Sequence, residues 1–195
     1  MCRWLAYSGP EIYLEDLIIK PSRSLLVQSR FARENYVENM PGLPDGAFPT
    51  NGDGFGVAWY GERDQPGLYR DLRPAWSDRN LVNLAEQIKS GLFLAHLRAA
   101  YHGLVQRTNS HPFRHGCWTF QHNGEISDFD KIKRSLQMTV DPDLFIRIQG
   151  TTDWRPRSTW PCRWASTTIP RKPWNEWSAW SRANNARPGS KDRFD

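Results

Sequence analysis

The chain begins Met1-Cys2-Arg3-Trp4, and Cys2 is the residue with the most direct route to chemistry. An initiator Met is removed by aminopeptidases when the next side chain is small, as it is here. Cys2 would then carry a thiol and a free α-amine, whose pKa of roughly 7.7–8.0 leaves it partly neutral near physiological pH. Nucleophile and base would belong to one residue, as in the pairing of Thr with an N-terminal amine. The alternative is a small apolar residue that starts a strand.

Five further segments rich in polar residues and glycine follow Cys2. They are Asn51–Gly56, His96–Gly103, Asn109–Phe113, His122–Glu125 and Thr151–Asp153. Taken alone, Arg98 is explained as a surface ion-pair residue and Asn123-Gly124 as a type I′ hairpin turn. These separate explanations do not account for the order in which all the segments occur.

Two other site types are disfavoured by local sequence. His111 and His115 are four residues apart, but Pro112 and Gly116 argue against a helical pair of metal ligands. Gly54-Phe55-Gly56 lacks the full spacing of a dinucleotide-binding loop. The sequence therefore implies no metal, nucleotide or flavin cofactor.

The elements that must position these segments are short strands and helices. Alternation predicts strands over 2–8, 54–60, 67–73, 92–99 and 118–122, with the second and third paired across a polar turn. Ser77-Asp78 is predicted to cap a helix that runs to about Ser90, and Ser127 or Asp128 to cap another. Residues 39–53 are predicted to form an exposed loop, and a helical turn is expected over 144–148. The pattern favours an α+β fold over a doubly wound sheet.

With these segments in this order, residues 2–153 resemble the class II glutamine amidotransferases, which are N-terminal-nucleophile hydrolases with a four-layer αββα fold. The stretches CRWLAY, SLLVQS and NGDGFGVAW are typical of the small, stand-alone branch. That branch includes enzymes acting on γ-glutamyl amides in glutathione degradation and ergothioneine synthesis. The resemblance implies this fold for residues 1–153, incomplete at the C-terminus.

The resemblance also implies a catalytic set. Cys2 Sγ would attack the side-chain amide of glutamine or of a γ-glutamyl amide, giving a thioester and releasing ammonia or an amine. The α-amine of Cys2 would carry the proton. The Asn123 side chain and the Gly124 backbone N–H would form the oxyanion hole.

The same resemblance implies the residues that bind the small-molecule substrate. Arg98 would hold the α-carboxylate through paired hydrogen bonds, and Asp153 would accept from the α-amine. Tyr101 and His102 belong to the same substrate-binding set. The family usually has a small residue, often Thr, where this chain has Tyr101, so a different γ-glutamyl substrate is one consequence to consider.

The segment from Trp154 onward differs from the rest of the chain. It contains nine Lys or Arg and three Asp or Glu, for a net charge of +6, whereas residues 1–153 carry −1. Six of the ten Trp and five Pro also lie there, without any periodicity. We therefore predict two regions, a truncated class II amidotransferase-like domain over 1–153 and a disordered tail over 154–195.

A frameshift is our hypothesis for this change. Codons can be chosen so that the frame beginning at the third base of the Trp154 codon encodes Glu-Thr-Ser-Phe-Tyr-Leu-Ala-Leu, followed later by an amphipathic helix with an acidic cap. Apolar sheet faces in residues 1–153 would then lack their usual cover. Gene codons incompatible with the alternative frame would refute the hypothesis.

Composition sets the remaining expectations. Three cysteines, odd in number and far apart, argue against a disulfide framework and for a reducing cytoplasm. No leader peptide or apolar run long enough for a membrane span is present in the sequence. The favoured function is γ-glutamyl amide hydrolysis, the alternative is an inactive truncated remnant, and nucleic-acid binding by the basic, Trp-rich tail ranks last.

Overall fold

The computed structural model describes residues 2–32, 36–37, 46–47, 49–100, 104–124 and 128–146 of the 195-residue chain. All of these residues belong to one compact unit, which spans residues 1–163. The expectations for Tyr101, His102 and Asp153 lie outside the described residues, as do those for the tail over 154–195.

Strands and short helices alternate along the described part of the chain. In order, the elements are β1 (Arg3–Tyr13), α1 (Glu15–Ile18), α2 (Leu25–Arg30), β2 (Tyr36–Val37), β3 (Gly46–Ala47), β4 (Phe55–Trp59), β5 (Gly67–Asp71), α3 (Arg79–Gln87), β6 (Lys89–Leu97), β7 (Phe113–His115), β8 (Trp118–Phe120), α4 (Phe129–Met138) and α5 (Pro142–Phe145).

The main sheet has four antiparallel strands in the order β1-β6-β4-β5. The predicted pairing of β4 with β5 across the polar turn is confirmed. Two small antiparallel ribbons, β2-β3 and β7-β8, accompany the sheet. The chain is thus a mixed α and β structure with antiparallel sheets, in agreement with the α+β prediction.

One side of the main sheet, the core face, is packed with apolar side chains. Cross-strand rows on this face join Leu5 to Ala95 and Val57, and Tyr7 to Phe93. The helices α1, α2 and α3 cover the face with the side chains of Ile18, Leu25, Leu81 and Ala85. Removing this apolar surface from water is the main stabilising contribution to the fold.

Helix α3 begins where the sequence predicts and ends earlier. The Asp78 side chain accepts a hydrogen bond from the Leu81 backbone N–H at 2.9 Å, which is the predicted N-terminal cap. The predicted end near Ser90 is wrong, because β6 begins at Lys89 and pairs with β1. Gly91 does not end the helix. A Cβ there would lie 2.8 Å from the Gly9 carbonyl oxygen, so Gly91 permits a close approach of two strands.

The opposite side of the main sheet, the open face, carries a different row of residues, with Trp4 opposite His96 and His96 opposite Gly56. The segment before β7 packs directly over Gly56, where a Cβ would collide with the His111 carbonyl oxygen. Trp4, on the edge strand β1, is 54% exposed. Elsewhere on this face Ala58 and His96 are buried, so the exposure of Trp4 belongs to the edge of the sheet.

Candidate active site

Strand pairing brings Cys2 to the end of β6. Arg3 pairs with Leu97, so the same register places Cys2 opposite Arg98. The Ala99 backbone N–H donates to Cys2 Sγ at 3.3 Å, and the Cys2 thiol is 3.5 Å from the Ala99 carbonyl oxygen. Cys2 is half-buried and forms no disulfide. The sulfur is therefore held in place by backbone groups that lie 97 residues away in the sequence.

The segment after β8 also reaches Cys2. The Asn123 side-chain amide donates to the Cys2 carbonyl oxygen through Nδ2, at 3.0 Å. Gly124 follows with φ +149°, and a Cβ at this position would lie 2.7 Å from His122 Cε1, so another residue would be strained here. The structure thus brings together Cys2, Asn123 and Gly124, the three residues predicted to be catalytic.

Asn123-Gly124 does not form the turn of the neighbouring β7-β8 ribbon. Those two strands pair His115 with Trp118, so their turn lies at Gly116 and Cys117. Asn123 also lacks the positive φ that a type I′ turn requires at both central residues, so the type I′ hairpin explanation of Asn123-Gly124 is wrong.

Arg98 is buried beside the same sulfur. Arg98 is only 5% exposed, and its Nη1 donates to the Leu104 carbonyl oxygen at 3.1 Å. Burial lowers the pKa of Arg98, while the neighbouring Cys2 and Asp53 oppose that shift. Because Arg98 is buried, its interpretation as a surface ion-pair residue is wrong. A buried guanidinium with one side-chain hydrogen bond among the described residues is suited to binding a carboxylate.

Asp53, to which the sequence assigned no individual role, forms hydrogen bonds with the backbone beside Cys2. Its carboxylate accepts from the Ala100 backbone N–H at 2.7 Å, and its own N–H donates to the Arg98 carbonyl oxygen at 3.1 Å. The Arg98 N–H in turn donates to the Gly54 carbonyl oxygen at 2.8 Å. Asp53 thereby fixes the backbone that contacts the Cys2 sulfur. Its place between two glycines just before a strand was the available signal.

The Asn51–Gly56 segment is built for close backbone packing. Asn51 is fully buried, and its N–H donates to the Ser29 carbonyl oxygen at 2.8 Å, so the prediction of an exposed loop over 39–53 is wrong at this residue. Gly54 has φ +111°, and a Cβ there would lie 2.8 Å from Ser110 Oγ. The glycines thus serve the contact between β4 and the segment before β7.

Two buried histidines lie next to Arg98 on the open face. His96 and His111 are 2% and 6% exposed, with ring centroids 4.8 Å apart, and His111 stacks on Phe113. Burial lowers the pKa of His96 to about 4, the His122 backbone opposes the shift, and the charge of Arg98 adds to it. His96 is therefore a neutral imidazole near physiological pH.

Among the described residues, these histidines have no set of neighbours that would complete a metal centre. No group of three metal-binding side chains occurs among the described residues. His115, which the sequence pairs with His111 by spacing, ends strand β7 rather than lying on a helix.

None of the helices in the described residues is long and apolar enough to span a bilayer.

The substrate-binding set is only partly visible. Arg98 lies beside Cys2, whereas Tyr101, His102 and Asp153 lie outside the described residues and stay predictions. The sequence assigned no individual role to Asp53, His96 or Gln121, whose side chains lie at or near this site.

Comparison with known proteins gives consistent matches. The family model described as glutamine amidotransferases class-II matches residues 41–142. The Saccharomyces cerevisiae protein named "Probable glutamine amidotransferase DUG3" is 40% identical over 159 residues, covering 78% of this chain and 42% of that protein. The gamma-glutamyl-hercynylcysteine sulfoxide hydrolase of Mycolicibacterium smegmatis is 32% identical over 127 residues, covering 65% of this chain and 52% of that protein.

A solved structure is similar as well. It is that of a glutamine aminotransferase class-II domain protein from Silicibacter pomeroyi, with 32% identity and a TM-score of 0.52, covering 80% of this chain and 51% of that one. The chain therefore spans about half the length of the relatives it matches.

Proposed function

We propose, since this chain belongs to the class II glutamine amidotransferases, that it hydrolyses glutamine or a γ-glutamyl amide through a thioester on Cys2. The observation that carries the proposal is the convergence on Cys2 of two distant segments. Ala99 contacts its sulfur and Asn123 contacts its carbonyl oxygen. Residues 97 and 121 positions away in sequence have no local reason to meet there.

The reaction requires removal of Met1, which frees the Cys2 α-amine. The amine takes the thiol proton, and Sγ attacks the side-chain carbonyl carbon of the substrate, forming a C–S bond. The resulting oxyanion is held by Asn123 Nδ2 and the Gly124 N–H. Collapse of the intermediate breaks the C–N bond, and the proton held by the amine passes to the departing ammonia or amine.

Water completes the cycle. It attacks the thioester carbonyl carbon, its proton passes to the α-amine, and a second oxyanion forms in the same hole. The C–S bond then breaks, the thiol regains its proton, and the γ-carboxyl product leaves. Asn123 Nδ2 contacts the Cys2 carbonyl oxygen, so we expect this side chain to turn toward the oxyanion when substrate is bound.

Arg98 supports the substrate class. A buried guanidinium beside the nucleophile, with one hydrogen bond to the Leu104 carbonyl oxygen among the described residues, leaves donors for an α-carboxylate. We further propose that Asp153 binds the α-amine, and that Tyr101 and His102 line the γ-glutamyl pocket. A reducing compartment such as the cytoplasm suits a thiol nucleophile.

For the fold, we propose that residues 1–153 form the αββα arrangement with its C-terminal part incomplete. The second candidate function is an inactive remnant, which the 54% exposure of Trp4 on the open face favours. Disorder of 154–195, and nucleic-acid binding by that segment, stay predictions. Salt-sensitive binding by a peptide of 154–195, absent from scrambled peptides, would test the last of these.

The deciding experiment is the intact mass of the untagged protein before and after exposure to a glutamine-like electrophile, a diazo-ketone analogue of glutamine. We expect loss of one Met and a single adduct that is absent from Cys2→Ala. Cys117→Ala is the matched control, because Cys117 is an exposed free cysteine and should not be the site of modification.

Other outcomes separate the two candidates. Met removal without an adduct would favour the inactive remnant. An adduct that persists in Cys2→Ala and disappears in Cys117→Ala would refute Cys2 as the selectively labelled nucleophile.

A further inference from the structure

We propose that Gln121 is a positioning residue that fastens the 121–124 segment to β1, so that Asn123 and Gly124 stay beside Cys2. The Gln121 side-chain amide donates to the Leu5 carbonyl oxygen through Nε2 at 3.0 Å. The two residues are 116 positions apart in sequence. The functional part of this inference rests on the proposed oxyanion role of Asn123 and Gly124.

Beyond the end of β8, two side chains attach the segment to β1. Strand β8 ends at Phe120, and its partner is β7. Beyond that point, Gln121 binds the Leu5 carbonyl oxygen and Asn123 binds the Cys2 carbonyl oxygen, both at 3.0 Å. Two amide side chains, two residues apart, thus connect the segment to the N-terminal strand that carries the nucleophile.

The cost of burying Gln121 supports a specific role for its donor. Its Oε1 atom is buried and has no hydrogen-bond partner among the described residues. An unsatisfied buried acceptor lowers stability, so an apolar side chain of similar length would avoid that cost. The amide is therefore best explained by the bond that Nε2 makes to Leu5.

The expected consequence is geometric. Oxyanion donors act when they lie roughly 2.7–3.1 Å from the developing negative charge, and a misplacement of about 1 Å can cost on the order of 10²-fold in rate. Arg98 lies at the end of β6 and is not attached to the 121–124 segment by any described contact. Loss of the Gln121 bond should therefore lower kcat and leave KM nearly unchanged.

The test compares Gln121→Met with the full-length, untagged chain. Met has similar length and no N–H donor. Gln28→Leu is the matched control. Gln28 lies in α2, which covers the core face, and its Nε2 also donates to a backbone carbonyl oxygen, that of Arg23, at 2.7 Å. Hydrogen–deuterium exchange of peptides covering 118–124 and ammonia release from L-glutamine are measured for each protein.

In Gln121→Met we expect exchange at 121–124 to rise at least about tenfold and kcat to fall on the order of 10- to 100-fold, with KM within about twofold. Gln28→Leu should change neither quantity. Gln121→Asn, which keeps the amide on a side chain one methylene shorter, should give intermediate exchange and serves if Gln121→Met does not fold.

Unchanged exchange at 121–124 would overturn the proposal, and so would raised exchange with unchanged kcat in an active protein. A fall in thermal stability with exchange raised equally in every peptide would show a structural role only. That result would also overturn the proposal. If the unsubstituted protein neither releases ammonia nor forms the Cys2 adduct, the proposed function fails. The exchange data would still decide whether Gln121 holds the segment.

Discussion

The two faces of the main sheet differ in what their side chains are suited to do. The core face carries rows of apolar residues, such as Tyr7, Phe93 and Val57, which helices cover. The open face carries Gly56 and His96, and at its end lie Cys2 and Arg98. Alternation along the same strands therefore separates packing from chemistry, because neighbouring residues point to opposite sides of a sheet.

Because of this separation, substitutions at adjacent residues of one strand should have unrelated effects on stability and on activity. A change on the core face should lower the free energy of unfolding and spare the chemistry of each folded molecule. A change at the site should lower activity and have little effect on the free energy of unfolding. Four predictions test the comparison.

The largest effect is expected on the core face. Phe93→Ala should lower the free energy of unfolding by about 3–5 kcal/mol, because Phe93 is fully buried and its ring lies against Tyr7, with centroids 5.0 Å apart. Urea denaturation measures the change. Met138→Ala, at a residue 79% exposed, should stay within about 0.5 kcal/mol. Equal effects of the two substitutions would contradict the assignment of the core.

At the site, Asn123→Ala should reduce transition-state stabilisation by roughly 2.7–4 kcal/mol, which is about 10²–10³-fold in kcat. Its effect on the free energy of unfolding should be only about 1 kcal/mol, the usual net contribution of one hydrogen bond. Ammonia release and urea denaturation give the two numbers. Asn83→Ala, at an exposed position on α3, is the control and should change neither. A loss of stability without loss of kcat would remove Asn123 from the mechanism.

His96 should make the stability of the fold depend on pH. Burial lowers its pKa from the ordinary 6.5 to about 4, so below pH 6.5 the unfolded chain binds a proton that the folded chain does not. Stability should fall as pH falls from 6.5 to 4, with a slope of up to about 1.4 kcal/mol per pH unit from this residue. His96→Gln should remove that part of the slope. Parallel denaturation curves from pH 7.5 to 4.5 measure it, and an unchanged slope would contradict the prediction.

The smallest effect concerns the cap that supports the core face. Asp78→Ala should cost about 0.5–2 kcal/mol, since its carboxylate caps α3 and also accepts from the Tyr69 hydroxyl at 2.9 Å. Asp78→Asn should lose less stability, because the amide oxygen can still cap the helix. Thermal unfolding of both variants gives the comparison, and a larger loss in the Asn variant would refute the capping explanation.

Local patterns were sufficient to predict several elements. Alternation and a polar turn predicted the pairing of β4 with β5, and Asp78 marked the start of α3. These features depend on residues within a few positions of one another. The end of α3 was predicted wrongly because pairing of Lys89 and Ser90 with β1, about 80 residues away in sequence, overrides local helix preference there.

Residues with purely tertiary roles were missed for the same reason. Asn51 lies in a stretch rich in Pro and Gly, yet it is completely buried and its N–H donates to the Ser29 carbonyl oxygen. Gln121 falls within a predicted strand, and nothing near it in sequence marks its bond to Leu5. Side-chain donors to distant backbone carbonyls leave no periodic signal.

The nucleophile candidate, the order of the motifs and, through them, the family to which the chain belongs can all be read from the amino-acid sequence. That Ala99 and Asn123 both contact Cys2 is seen only in the folded chain. The physical reason is that strand register and hydrogen bonds between distant segments set these contacts, and both arise only when the sheet has assembled.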